Sequence, residues 1–86
     1  MKILDGRNMR TRPEAHDELK RVLELPEYYG RNLDALYDLA STMEDEVALI
    51  NAAPMKEALG MYGEKLITVL IDAQNANPGF RFAWKD

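Results

Sequence analysis

The stretch Leu25-Pro26-Glu27-Tyr28-Tyr29-Gly30-Arg31-Asn32-Leu33-Asp34-Ala35-Leu36-Tyr37-Asp38-Leu39-Ala40-Ser41-Thr42 decides how the rest of the chain is read. Its first half reads as a rigid loop. Pro26 biases Leu25 away from helical backbone and so ends any helix before it. Gly30 is the expected position for a positive φ. Asn32 is a good N-cap, and the helix it opens divides sharply into two faces. At about 100° per residue, Leu33, Leu36, Leu39 and Ala40 share one arc, which predicts a core-facing stripe. Asp34 and Asp38 fall together on the opposite arc, one turn apart, flanked by Tyr37 and Ser41. Two like charges on adjacent turns weaken an isolated helix, and their placement beside exposed tyrosines predicts a cationic counterpart.

The charge of the whole chain points the same way. Net charge is −4, yet the segment from Glu24 to Glu46 holds seven acids against Arg31 alone, so it carries −6 and the remainder +2. Phosphates would be repelled by such a face, so no nucleic-acid partner is expected there. Composition alone leaves open a basic partner, a hard cation or a merely solvated acidic surface. With 86 residues, 47% apolar and 30% charged, the chain suits a single domain (residues 1–86) with one modest core. The absence of cysteine removes disulfides, thiolate metal sites and a cysteine nucleophile, and fits a reducing compartment. No apolar run approaches the roughly 20 residues of a membrane span. Met1-Lys2-Ile3-Leu4 leads straight into Asp5-Gly6, with no apolar region of a signal peptide, so the cytoplasm is the expected location.

Working outward from the central stretch, Thr11-Arg12-Pro13-Glu14 is a capping box with proline in the first turn. Ala15, Leu19, Val22 and Leu23 then recur at helical spacing. Residues 2–4 form a candidate strand before a turn at Asp5-Gly6. Residues 46–51 form another, whose continuous apolar middle predicts burial on both faces. Pro54 lies near the start of a short helix over residues 55–59, and Gly60 and Gly63 mark the turn after it. Residues 64–75 make the most apolar helix, with Glu64, Lys65, Thr68 and Asp72 as its polar stripe. Asn77-Pro78-Gly79 is a turn before an aromatic strand over residues 80–84. The pattern is α/β, and strands separated by helices favour parallel pairing. A small three-stranded parallel sheet with about four helices, grouped mainly on one side, is expected.

Little in the chain serves catalysis. There is no phosphate loop and no Ser/His/Asp or Cys/His set, and His16, the one histidine, sits at the edge of an apolar stripe as a packing residue. Asp34 with Asp38 could form a carboxylate pair of the glycosidase kind, but so short a chain has little scope for a cleft that buries a sugar. Asp34, Asp38 and Asp72 could offer oxygens to a hard cation, but no loop has a calcium-binding spacing. Neither an enzyme nor a bound cofactor is expected. A binding surface asks less of the same residues, because ionised carboxylates make strong charge-assisted hydrogen bonds with arginine and pair with lysine or charged histidine. Tyrosines around them add apolar area at low rotamer cost.

Residues 25–39 resemble the signature of the barstar family, intracellular inhibitors of secreted bacterial ribonucleases. The shared pattern is Leu-Pro-Glu-Tyr-Tyr-Gly, one variable residue, then Asn-Leu-Asp-Ala-Leu, an aromatic residue and Asp. The resemblance implies the same fold, with the first and last strands at opposite edges of the sheet. It implies a monomeric inhibitor that forms a 1:1 complex with a small, basic, extracellular, barnase-like ribonuclease. The alternative is a module of this fold that binds a different basic partner, such as another toxin or nuclease. Residue by residue, Tyr28 matches a tyrosine that packs on the enzyme, and Asp34 a carboxylate that contacts its basic residues. Asp38 matches the central carboxylate, which enters the active site in place of a phosphate. Tyr29 matches a second tyrosine of structural or contact role, Gly30 a loop glycine and Asn32 the cap. Tyr37 stands where the family has tryptophan, Thr42-Met43 replaces a Gly-Trp pair, and Asp72 aligns with a glutamate on the last long helix.

Overall fold

The computed structural model describes residues 1–86. Strand β1 (Lys2–Asp5) leads through a 3-10 turn (Gly6–Asn8) into helix α1 (Arg12–Leu23). Helix α2 (Leu33–Ala40), strand β2 (Glu46–Ile50), helices α3 (Ala52–Leu59) and α4 (Met61–Ala76) and strand β3 (Arg81–Trp84) follow. The sheet order is β1-β2-β3 with both pairings parallel, so the first and last strands are its edges. The register sets Lys2, Val47 and Phe82 in one row and Ile3, Ala48 and Ala83 in the next.

Local chemistry explains where the helices begin and end. The Thr11 hydroxyl accepts from the Glu14 amide at 3.2 Å, and Pro13 occupies the first turn, where its missing N–H has no helical partner to lose. α1 stops at Glu24, which takes a left-handed φ of 55° while its amide donates to the Lys20 carbonyl. The Asn32 side chain accepts from the Ala35 amide at 2.8 Å to start α2.

One face of the sheet meets the helices. Leu4, Val47, Leu49 and Phe82 are buried there in a cluster with Leu19, Leu23, Leu36, Leu66, Leu70 and Phe80. α1 packs on β1, α4 on β3, and α2 and α3 both on α4. No buried polar side-chain atom lacks a hydrogen-bond partner. Glu18, buried within α1, accepts from the Asp5 amide at 3.1 Å and pairs with Arg21.

Four expectations are corrected. β2 is covered on one face only: Ala48 and Ile50 are half-buried, beside Ile3 at 44% exposure and an exposed Ala83. Its unbroken apolar run reflects small and β-branched residues on an open face, with no second helical layer over it. α3 begins at Ala52, ahead of Pro54, because proline is tolerated in a first turn. α4 begins at Met61, so Gly63 lies inside it. Gly60 alone makes the break between α3 and α4, with a φ of 59° that glycine adopts freely. Gly63 serves packing instead, since a Cβ there would lie 3.3 Å from the Lys56 Cα and the Met55 carbonyl oxygen. Finally, the positive φ in the 25–32 loop belongs to Arg31, at 55°, and not to Gly30.

Candidate partner-binding site

The loop ahead of α2 is fixed from below before it offers anything to solvent. Leu25 and Tyr29 are buried, and the Tyr29 amide closes a turn onto the Pro26 carbonyl at 2.9 Å. The Tyr29 hydroxyl lies 2.6 Å from His16 Nδ1, and His16 Nε2 lies 2.6 Å from the Tyr62 hydroxyl. A neutral imidazole donates through one ring nitrogen and accepts through the other, so two tyrosine hydroxyls satisfy it completely. Burial is the first cause that holds the His16 pKa below its usual value, with the nearby Arg31 charge second. Burial likewise pushes the Tyr29 phenol up, so it stays a neutral hydrogen-bonding group. On the solvent side, Lys20 pairs with Glu27 at 3.2 Å and Arg31 pairs with Asp17.

Gly30 has a role different from the one its sequence context suggests. The Asn32 amide group donates to the Gly30 carbonyl at 3.2 Å while its oxygen caps α2. A Cβ on Gly30 would stand 3.2 Å from that amide nitrogen and 3.4 Å from the Ala35 Cβ. Glycine leaves room for the cap.

On this frame α2 presents the expected division of faces. Leu36 and Ala40 are buried and Leu33 and Leu39 half-buried, while Asp34, Tyr37 and Asp38 are exposed. Tyr28 is 81% exposed, against 5% for its neighbour Tyr29. Gly30, Asn32 and Thr42 are exposed as well, and the Thr42 hydroxyl donates to the Leu39 carbonyl at 2.9 Å. Asp72 is exposed on α4, the helix against which α2 packs. Tyr29 therefore stands apart from the other residues singled out from sequence. Its side chain supports the loop from inside and presents almost no surface.

The acids of this region divide into two groups. Glu24 and Asp45 both pair with Lys2, and Glu27 pairs with Lys20. Asp34, Asp38 and Asp72 take part in none of the seven ion pairs of the molecule. No three acidic or imidazole groups converge as metal ligands would. The arrangement suits recognition of cations supplied from outside. Sequence reading missed the His16–Tyr29–Tyr62 lock, whose only trace was a histidine at the margin of an apolar stripe. It also missed the cleft described below, lined by residues far apart in the chain.

No helix is long and apolar enough to cross a membrane. Residues 1–85 match the family described as Barstar (barnase inhibitor). A protein of Bacillus subtilis (strain 168), named "Putative ribonuclease inhibitor YrdF", is 39% identical over 75 residues, covering 84% of this chain and 82% of its own length. With that match running nearly end to end over a three-stranded parallel α/β fold, the chain belongs to the barstar family.

Proposed function

We propose that this protein inhibits a small, basic, extracellular bacterial ribonuclease by laying the 25–32 loop and α2 over its active site. The observation that carries this reading is the pair of exposed carboxylates, Asp34 and Asp38, without a cationic partner on a helix whose preceding loop is pinned to the core. A ribonuclease must present cations to hold RNA phosphates, and a carboxylate at a phosphate-like position can occupy the same electrostatic niche. Asp38 is the central group, Asp34 meets the enzyme's flanking cations, and Tyr28 and Tyr37 pack around them. Gly30 and Asn32 shape the edge of the contact, while Thr42 and Asp72 extend it to the end of α2 and onto α4. The name of the Bacillus subtilis relative supports a ribonuclease-inhibitor role over an enzymatic one. In this reading the protein acts as a monomeric unit, in a 1:1 complex, within the cytoplasm of the cell that makes the enzyme.

The test is titration of the protein into a small guanine-preferring bacterial ribonuclease while RNA cleavage is followed. Stoichiometric loss of cleavage is expected. Undiminished cleavage by every such enzyme, alongside tight capture of a basic protein of another class, would overturn the ribonuclease assignment.

A further inference from the structure

Next to Asp34 the surface opens into a cleft of about 470 Å³, lined among others by Arg12, His16, Arg31, Asp34 and Tyr62. It gathers positive groups on a protein whose net charge is −4. The Arg12 guanidinium lies over the Tyr62 ring at 4.1 Å from its centroid and takes part in no ion pair. This cation–π contact positions the guanidinium, and none of its N–H groups donates a hydrogen bond within the protein. Arg31 engages Asp17 and the Pro13 carbonyl, both through Nη2. Its Nε and Nη1 hydrogens are left without a partner. The left-handed backbone of Arg31 is a conformation that a non-glycine residue adopts only when its surroundings hold it. Here it sets the guanidinium into this cleft, between α1 and the start of α2. The floor is fixed by the bond between His16 Nε2 and the Tyr62 hydroxyl.

We propose that this cleft is a carboxylate-binding site that takes an acidic side chain of the docked partner, so that the acidic face carries one contact of reversed polarity at its edge. The proposal rests on the inhibitor reading for the partner, but the site itself is a property of this chain alone. Asp34 belongs to both the cleft and the acidic face, so a protein seated on Asp34 covers the cleft mouth. The charge balance selects the ligand. Arg31 is already paired with Asp17, so Arg12 is the one lining cation without an ion-pair partner, and Asp34 in the same lining sets a limit on how much negative charge the cleft can accept. A monoanionic carboxylate matches that one cation, whereas a doubly charged phosphate would meet Asp34 and Asp17 with excess repulsion. The consequence is discrimination among ribonucleases. An enzyme with an acid opposite the cleft gains a fork-like pair, and one with a lysine there meets two arginines.

Two measurements test this. In the first, the free protein is titrated with acetate and, separately, with inorganic phosphate at matched ionic strength, while the side-chain Nε–H resonances of Arg12 and Arg31 are followed. Acetate should shift both in parallel and phosphate less; Arg31→Gln should abolish the response of Arg12 as well. No response to acetate overturns the site, and a stronger response to phosphate overturns the carboxylate assignment. In the second, Arg12→Gln, Arg31→Gln, Arg31→Lys and Asp38→Ala are each titrated into a barnase-type ribonuclease, with unfolding curves recorded for every variant. The two glutamine variants should each weaken binding about tenfold, with Arg31→Lys in between. Folded glutamine variants that bind like the parent, beside a weakened Asp38→Ala, sink the cleft contact and leave the masking reading standing. Absence of binding by the parent and Asp38→Ala alike sinks the masking reading, while the acetate titration still decides the site.

Discussion

The Tyr29 hydroxyl sits 2.6 Å from His16 Nδ1, and this one hydrogen bond joins the loop before the acidic helix to the middle of α1. Through the other ring nitrogen the link continues to Tyr62 on α4. A buried histidine with both nitrogens engaged thus holds three segments of the chain in a fixed relation. This anchors the loop to the core in addition to the turn that Pro26 begins.

Stability should fall on mild acidification. The folded-state pKa of His16 lies below its unfolded value, because burial disfavours the charged ring. The unfolded chain therefore binds more protons between the two pKa values. The contribution is fully present above the unfolded pKa of about 6.5 and is lost as pH falls from there toward the folded value. Urea midpoints measured from pH 8 to pH 5 should decline below about pH 6.5. In His16→Gln that step should be absent.

Tyr29→Phe should destabilise the fold by about 1–3 kcal/mol, because it leaves one nitrogen of a buried imidazole without a partner. Tyr28→Phe, at an exposed position, should leave the unfolding curve nearly unchanged. Denaturant unfolding of the two variants provides the comparison, and equal losses would contradict the opposite orientations of these neighbours.

Asp38→Ala should weaken ribonuclease binding by about 2 kcal/mol or more, the general threshold of an interface hot spot, for which the barnase–barstar pair is itself the standard example. Desolvated in the complex, its loss would leave enzyme cations unpaired. Glu27→Ala, whose carboxylate already pairs with Lys20, should change binding far less. Both proteins should fold, since alanine is readily accepted at the exposed helical position of Asp38 and Glu27 lies exposed in the loop before α2. Calorimetric titration checks the ranking.

Association should be fast at low ionic strength and slow steeply as salt is added, because complementary fields steer the encounter. Stopped-flow rates across a salt series measure this. Glu44 and Glu46, exposed acids without ion-pair partners, should alter the rate modestly and the dissociation rate hardly at all.

The elements that local chemistry starts were readable in advance. Thr11 with Glu14, and Asn32 with the apolar arc after it, announce α1 and α2, and both caps form as expected. Where packing decides, the sequence was a poorer guide. Two glycines three apart look alike in the chain, yet Gly60 turns the backbone and Gly63 lets α3 approach α4. Similarly, the apolar run of β2 cannot say which of its faces a helix will cover. At the site, Asp34, Tyr37 and Asp38 were legible because helical periodicity puts them on one arc. His16 with Tyr62 was not, nor was Arg12 with Arg31. Those partners are 46 and 19 positions apart, and nothing local records that the fold brings them together.

The unpaired state of Asp34 and Asp38 gives the free protein a penalty that the proposed complex would relieve. Like charges one turn apart cost an isolated helix a few tenths of a kcal/mol, and neither aspartate takes part in an ion pair. Salt then acts with opposite sign on the two states. It screens the repulsion along α2 and should raise the melting temperature of the lone chain, while it weakens that chain's hold on a basic enzyme. In the proposed reading, the same two side chains should make the free chain more stable in salt and its hold on an enzyme weaker there.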